Sequence, residues 1–388
     1  MKASVLQGEF KKALVVCHET MATRTSLPIC NHIVVKTMES GKVEVSATDL
    51  ERWAFYEIGA QVEEAGGCCV PGGLLNELIG MYQDDKVEMT LVDDTLGLVC
   101  SRNKSSISTL KIVDFPPTPN LEGEPFVLDA QAFLSCLERV RHSVASEDMR
   151  PVLCGVLMNF HLEKGGVPLL SMVAADGFRL AIAEMPIAEV PYGHMIVLPK
   201  SLAQIVKLIK NQKAEQIEVR YSEKRGVAAF QIGPVRVVSQ LIRGEFPDYK
   251  QLVPASFTTA VTVKRTEFMR AVKSVATVAK DTGGITRLYA VDGLLHVRTK
   301  GQEHNVGSSM PAKIDGPANR IAFNVAYLPD ACVACPGDEL AVKWIDGSNP
   351  AVFTSDSAGT YVLMPMFIQY DDDDELANQI GKETKGAK

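Results

Sequence analysis

Leu198 to Lys213, LPKSLAQIVKLIKNQK, reads as one short helix opened by a proline in its first turn. At roughly 100° per residue, Leu202, Ile205, Val206 and Ile209 fall on one side, Lys200 and Lys207 fall on the opposite side, and Lys210 lies near them. A single helix of this kind, apolar behind and cationic in front, is an ordinary surface helix with solvated lysines. Repetition changes its meaning.

The same plan occurs three times. Val70-Pro71-Gly72-Gly73-Leu74-Leu75 and Phe323-Asn324-Val325-Ala326-Tyr327-Leu328 occupy the place of Leu198-Pro199-Lys200-Ser201-Leu202-Ala203. An alternating strand begins 17 to 19 residues after the start of each: Val87-Glu88-Met89-Thr90-Leu91, Ile217-Glu218-Val219-Arg220-Tyr221 and Leu340-Ala341-Val342-Lys343-Trp344. A polar turn follows each strand (Asp93-Asp94, Ser222 to Gly226, Asp346-Gly347-Ser348-Asn349), so each leads into a hairpin. Upstream, a second helix recurs with apolar residues at i, i+4 and i+7: Phe10, Leu14 and Cys17; Phe133, Leu137 and Val140; Phe268, Val272 and Val275. The expected fold class is α+β, three tandem copies of one domain, each with two helices packed on antiparallel sheets.

The copies divide the chain into 1–122, 125–254 and 256–369, followed by a polar, acidic tail at 370–388. The joints are rich in proline or carry an echo of one another: Asp114-Phe115-Pro116-Pro117-Thr118-Pro119 after the first copy, Glu245-Phe246-Pro247-Asp248-Tyr249 after the second. Helices are expected near Gly8 to Glu19, Asp129 to Ser146 and Lys264 to Lys280. The tail holds Asp371 to Glu375, and a charge block of this kind is expected to be disordered.

At 388 residues, 46% hydrophobic and 22% charged, the chain suffices for two or three domains with proper cores. No run of 18 apolar residues exists, and Met1-Lys2-Ala3-Ser4 does not open a signal peptide, so a cytoplasmic protein is expected. Most of the nine cysteines lie in apolar stretches, where a reduced thiol behaves as a small hydrophobe. Cys332-Val333-Ala334-Cys335 has redox or zinc spacing, but one half-site lacks the four ligands that zinc needs. Neither a metal nor a cofactor is expected, and no catalytic motif surrounds these cysteines or the seven histidines. Charge is sorted unevenly: the six repeat helices carry a net of +6 while the chain carries −7, leaving −13 elsewhere. Helices sharing a face would therefore attract a polyanion that the outer surface repels.

Five motifs carry a resemblance. They are Arg150 with Leu153-Cys154-Gly155-Val156, Asp176-Gly177-Phe178-Arg179-Leu180-Ala181, Phe246-Pro247-Asp248-Tyr249, Asn324-Val325-Ala326-Tyr327-Leu328 and Tyr361-Val362-Leu363-Met364-Pro365-Met366. In this order, on a threefold repeat, the chain resembles the bacterial DNA polymerase III beta subunit family, the DNA sliding clamps, over residues 1–368. The resemblance implies a head-to-tail homodimer closing a ring of six domains, with helices lining a hole for double-stranded DNA. Such a protein performs no chemistry; it is a replication processivity factor that tethers the replicative polymerase. It also implies a pocket for short hydrophobic motifs of polymerase, clamp loader and repair proteins. Its first part would be Leu153, Ala175, Gly177, Phe178, Arg179, Leu180 and Pro247, and its second Gln251, Leu252, Ala351, Val362, Leu363, Met364, Pro365 and Met366.

Candidate DNA-facing residues are Lys11, Lys12, Arg24, Lys200, Lys207, Lys210, Arg270 and Lys273. The ring seam would fall at Ile107 on one side and Thr277 with Val278 on the other. Departures from the family pattern are Phe178 where a histidine is common, Phe367-Ile368 where relatives end in Arg-Leu, Gly72 and Gly73 at often basic positions, and Glu147 where a polar residue is usual. They imply weak intrinsic DNA affinity and an altered partner preference. A non-encircling peptide-binding scaffold of the same fold is the alternative function.

Overall fold

A computed structural model describes residues 1–22, 27–146, 150–163, 165–191, 193–300, 304–356 and 359–370. The first copy runs β1 (Lys2–Leu6), α1 (Gln7–Thr20), β2 (His32–Thr37), β3 (Lys42–Thr48), β4 (Arg52–Glu64), β5 (Gly67–Pro71), α2 (Gly72–Met81), β6 (Lys86–Val92), β7 (Thr95–Cys100) and β8 (Asn103–Ser108). The second repeats it: β9 (Phe126–Asp129), α3 (Ala130–Val140), β10 (Val156–Leu162), β11 (Pro168–Ala175), β12 (Arg179–Pro186), β13 (His194–Val197), α4 (Pro199–Gln212), β14 (Gln216–Ser222), β15 (Val227–Ile232) and β16 (Val235–Gln240). The third adds one short strand: β17 (Thr259–Lys264), α5 (Arg265–Ala279), β18 (Ile285–Val291), β19 (Leu294–Lys300), β20 (Asn305–Pro311), β21 (Lys313–Asp315), β22 (Asn319–Asn324), α6 (Leu328–Ala334), β23 (Glu339–Trp344), β24 (Ala351–Ser355) and β25 (Thr360–Leu363). The acidic segment from Asp371 onward lies outside the described residues.

Every apolar residue of the three i, i+4, i+7 sets is buried, led by Phe10, Phe133 and Phe268. Each such side chain removed from water contributes about 1.5–3 kcal/mol, which is why helices of this length hold their sheets. On α4 the buried stripe is turned slightly from the expected one. Leu202, Ile205, Leu208 and Ile209 are buried, Val206 only partly, and Gln204 is buried with them. Gln204 donates Nε2–H to the Thr20 hydroxyl at 2.7 Å, so a polar contact to α1 sets the rotation of the helix. The third copy's second helix is shorter than its counterparts. A 3₁₀ turn, Val325–Tyr327, replaces its first turn, with the Asn324 side chain accepting the Ala326 N–H at 3.0 Å.

Among the described residues the strands form three sheets. One orders β8-β7-β6-β1-β4-β16-β15-β14-β9, with β3 also on β4 and β2 joining β3 to β5. A second orders β13-β10-β11-β12-β25-β24-β23-β17-β21, and a third β20-β19-β18-β22. The chain gathers into two compact units, residues 1–130 with 200–241, and 131–199 with 242–388. The second copy is thus shared between them, because its last strand pairs with the first copy (β16 on β4) and its β12 pairs with the third copy (β12 on β25). Sequence periodicity marks the copies; strand pairing between copies joins them.

Candidate partner pocket and cationic helix faces

The pocket begins at a turn. Asp176 closes β11 and its Oδ1 accepts the N–H groups of Phe178 (2.9 Å) and Arg179 (3.0 Å). Gly177 between them sits at φ +90°, a left-handed conformation that a side chain would strain. The turn therefore holds Phe178 outward, 62% exposed, while its carbonyl accepts the Met364 N–H at 2.9 Å. A cavity of about 110 Å³ opens there, lined by Ala175, Gly177, Phe178, Arg179, Leu180, Leu252, Pro350, Val362 and Met364. Leu180 and Val362 make its buried floor; Phe178, Leu252 and Met364 make its exposed rim.

Eight of the fifteen residues expected in the pocket line this cavity, and Pro350 joins them unannounced by any motif. Leu153 lies beneath, in the apolar cluster that includes Leu180 and Val362. Ala351 and Leu363 are fully buried and directly paired, so their side chains face away from the cavity. Alternation explains it: Val362 and Met364 share one face of the β25 end, and Leu363 takes the other. Pro247 and Gln251 are exposed outside the cavity, Gln251 donating to Asp248 at 2.9 Å, and Pro365 is half-buried. Met366 lines a different cavity, of about 440 Å³, with Asn319, Arg320, Asp346 and Tyr370.

Arg179 occupies the junction behind the pocket. Its Nε donates to Asp176 Oδ2 at 2.9 Å, Nη1 to Asp330 on α6, and Nη2 to the carbonyl of His142, in the 3₁₀ turn after α3. Its guanidinium also lies 4.4 Å from the centre of the Tyr327 ring. Burial pushes the Tyr361 hydroxyl well above its ordinary range, against the opposing pull of Arg179 beside it. Burial holds the His142 imidazole below its usual value; Asp330 opposes this shift and Arg179 reinforces it.

The first copy repeats the construction. Arg52 donates Nε to Asp49 (3.0 Å), Nη2 to the Glu19 carbonyl (2.8 Å) and Nη1 to the Lys200 carbonyl and Gln204 (both 3.2 Å). Glu19 and His142 stand nine residues after Phe10 and Phe133, so the two acceptors are the same position of the repeat. There Trp53 replaces Leu180, and Leu121 packs on the cluster of Trp53, Phe55, Val227, Ala229 and Val238. Leu121 follows Phe115 by six residues, as Leu252 follows Phe246. A cavity of about 610 Å³ adjoins this cluster, lined by Leu121, Ala229 and Arg236 among others.

The expected cations stand on helix surfaces, several of them already paired. Lys12 meets Glu9 at 2.8 Å, Lys200 meets Glu51 at 3.4 Å and Lys207 meets Glu19 at 3.0 Å. Lys11, Lys210, Arg270 and Lys273 are exposed. Arg24 and Glu147 lie outside the described residues. Of the seam residues, Thr277 is exposed and Val278 half-buried, but Ile107 is 4% exposed and turned into its own core, opposite Leu96. What the edge at Ile107 offers is backbone.

The chemistry of an enzyme is not assembled around the candidate thiols. Burial pushes Cys332 and Cys335 up to about 12, and the Cys335 thiol is spent on the Phe353 carbonyl at 3.2 Å. Among the described residues no three metal-binding side chains cluster. Ser171 does meet His161 and Glu184 at 2.7 Å each, but it is fully buried and its hydroxyl donates to the carboxylate. No helix among the described residues is long and apolar enough to cross a membrane.

Comparison with known proteins agrees with this construction. The chain is 27% identical over 376 residues to the beta sliding clamp of Caulobacter vibrioides, covering 94% of this chain and all of the relative. It is 25% identical over 393 residues to that of Synechocystis, covering 94% and 99%. Among solved structures, a Caulobacter crescentus beta sliding clamp with polyethylene glycol bound superposes with a TM-score of 0.89 at 26% identity. A Bartonella birtlesii sliding clamp bound to griselimycin superposes at 0.86 and 25% identity; each covers 95% of this chain and all of the other. The N-terminal, central and C-terminal domain profiles of the DNA polymerase III beta subunit match residues 1–121, 127–248 and 250–367 in order. The family is one of sliding clamps and not of enzymes, and this chain, matched along nearly its whole length, belongs to the DNA polymerase III beta subunit family.

Proposed function

We propose that the protein is a DNA sliding clamp that closes as a head-to-tail homodimer around duplex DNA and tethers the replicative polymerase, clamp loader and repair proteins through the pocket of Phe178, Leu252 and Met364. The observation that carries this is the repetition of the junction. Each copy contains a third outer strand (β4, β12, β20) and a last strand (β8, β16, β25), and both internal junctions pair the one with the other antiparallel. Two strands are left over, β20 at one end and β8 at the other, each at the edge of its sheet. An edge strand with free backbone groups is a template for pairing. A second copy supplies the complementary edge, and two such seams close a ring of six domains.

The register follows from the ladders. Ala54 pairs with Val237 and Ala181 with Tyr361. Val306 is the third copy's counterpart of Ala54 and Ala181, and Ser105 the first copy's counterpart of Val237 and Tyr361, by their ladders to Thr299 and to Leu98. Val306 is therefore expected opposite Ser105 of the second subunit, Asn305 opposite Ser106, and His304 opposite Ile107. Thr277, nine residues after Phe268, falls where Glu19 and His142 close the internal junctions.

DNA in such a ring would be held by Lys11, Lys12, Lys200, Lys207, Lys210, Arg270 and Lys273, with Arg24 in addition, through phosphates and without base reading, so the ring slides. Pairing of Lys12, Lys200 and Lys207 with acids supports weak intrinsic affinity. It also favours, as the second reading, a peptide-binding scaffold that encircles nothing. The site of action is cytoplasmic. Light scattering at micromolar and nanomolar concentration, followed by retention on nicked circular against linearised DNA, separates the two. A dimer that stays on circles and runs off linear ends is the expected result; a monomer released equally from both leaves only the scaffold.

A further inference from the structure

We infer that Arg179 is a positioning residue of the partner pocket: its guanidinium fastens the Gly177-Phe178 lip to the ends of two helices and does not touch the bound peptide. The inference rests on the peptide-binding reading of the pocket.

The side chain is 12% exposed, and its nitrogens are committed inward to Asp176, Asp330 and the His142 carbonyl. Asp176 is the shared element. One carboxylate oxygen accepts the two N–H groups that shape the lip, and the other accepts Arg179 Nε. The lip in turn reaches the opposite wall through the Phe178 carbonyl and Met364 N–H. Releasing the guanidinium therefore loosens Asp176, then the turn, then the spacing between Phe178 and Met364.

Arg52 is an internal control. The same Asp-x-x-Arg frame recurs there, with Asp49 accepting Arg52 N–H (2.9 Å) and Nε (3.0 Å) and the Glu19 carbonyl accepting Nη2. There Trp53 stands in place of Leu180, and Leu121 packs on the cluster of Trp53, Phe55, Val227, Ala229 and Val238. An arginine that holds the same frame where a tryptophan replaces the leucine of the floor has its charge placed for the junction, not for a ligand.

The test uses the full-length protein with Arg179→Lys, Arg52→Lys and Asp330→Asn. Griselimycin, found bound to a relative, serves as the probe, read by calorimetry from low to high salt. Hydrogen exchange at the amides of 177–180 and 362–364 is read without ligand. Loss of a charged hydrogen-bond network predicts roughly tenfold weaker binding for Arg179→Lys, with the wild-type salt dependence retained, and lip amides exchanging roughly tenfold faster. Arg52→Lys is expected to change neither. Asp330→Asn, which removes one arm alone, gives a smaller shift of the same kind and decides the matter if Arg179→Lys does not fold. Unchanged lip exchange in the Arg179 or Asp330 variant, or a salt dependence altered by Arg179→Lys, overturns the inference. Failure of the wild type to bind the probe defeats the pocket reading instead, and the exchange comparison still decides the positioning role.

Discussion

Neutralising acids on the helix faces is expected to tighten DNA binding, an outcome opposite to most surface mutations. Glu19 holds Lys207 at 3.0 Å and Glu51 holds Lys200 at 3.4 Å, all four side chains being at least 40% exposed. Exposed pairs of this kind contribute little to stability, so Glu19→Gln with Glu51→Gln should fold normally. The Glu19 carbonyl, which caps Arg52, is untouched by the change. Two cations become available to phosphates. Each phosphate neutralised steepens the dependence of log affinity on log salt by about 0.9, so the double variant should steepen it by about 1.8. Between 50 and 200 mM salt that amounts to roughly a tenfold greater loss of affinity than in the wild type, from a tighter starting point. Fluorescence anisotropy on a labelled 30-bp duplex across that range measures both quantities. A slope unchanged within about 0.3, or weaker binding at low salt, would refute the placement of Lys200 and Lys207 on the DNA side.

Other expectations are independent of this one. Phe178→Ala and Met364→Ala, at exposed rim positions, should weaken griselimycin binding by about 1–3 kcal/mol while leaving the melting temperature unchanged; titration calorimetry and thermal melts read the two. Leu180→Ala removes a buried floor residue and should cost about 2–5 kcal/mol of stability, measured by urea unfolding. His142 is held below its unfolded pKa of about 6.5 chiefly by burial, so the stability it contributes is complete above that pH and drains away as pH falls through 6.5 toward the depressed value. Melting followed from pH 7.5 to 5 should show this loss, and His142→Gln should flatten it. Brief alkylation at pH 8 should label Cys154 first, since it is half-buried while the other eight thiols are buried; peptide mass spectrometry identifies the site.

The helices were legible because their packing is local: a phenylalanine at one position and apolar partners four and seven residues on suffice to bury α1, α3 and α5. The shortening of α6 was not, because it depends on Asn324 capping a 3₁₀ turn that looks like any helix start. Resemblance brought the pocket's floor and rim within reach, yet Ala351 and Leu363 were carried with it, since a contiguous motif does not say which face each strand residue takes. Pro350 was missed for want of any local signal. The Arg52 frame escaped notice for a different reason. Asp49-Leu50-Glu51-Arg52 shares only its ends with Asp176-Gly177-Phe178-Arg179, and Leu50 adopts φ +74° where the other turn uses glycine. Ion pairing of the helix lysines, made to acids distant in sequence, is likewise invisible until the chain is folded.

The central claim, a ring closed by pairing β8 with β20 of a second copy, is tested most directly by a cross-link. Ser106 and Asn305 are exposed and predicted to stand opposite one another, where facing Cβ atoms are about 4.5–5.5 Å apart, close enough for a disulfide after slight adjustment. Ser106→Cys with Asn305→Cys, incubated with nicked plasmid circles and oxidised, should yield a covalent dimer that stays on the circles through a denaturing wash and leaves when they are linearised. Efficient dimer formation without retention, or cross-linking no better than for Ser108→Cys with Asn305→Cys, would contradict the ring.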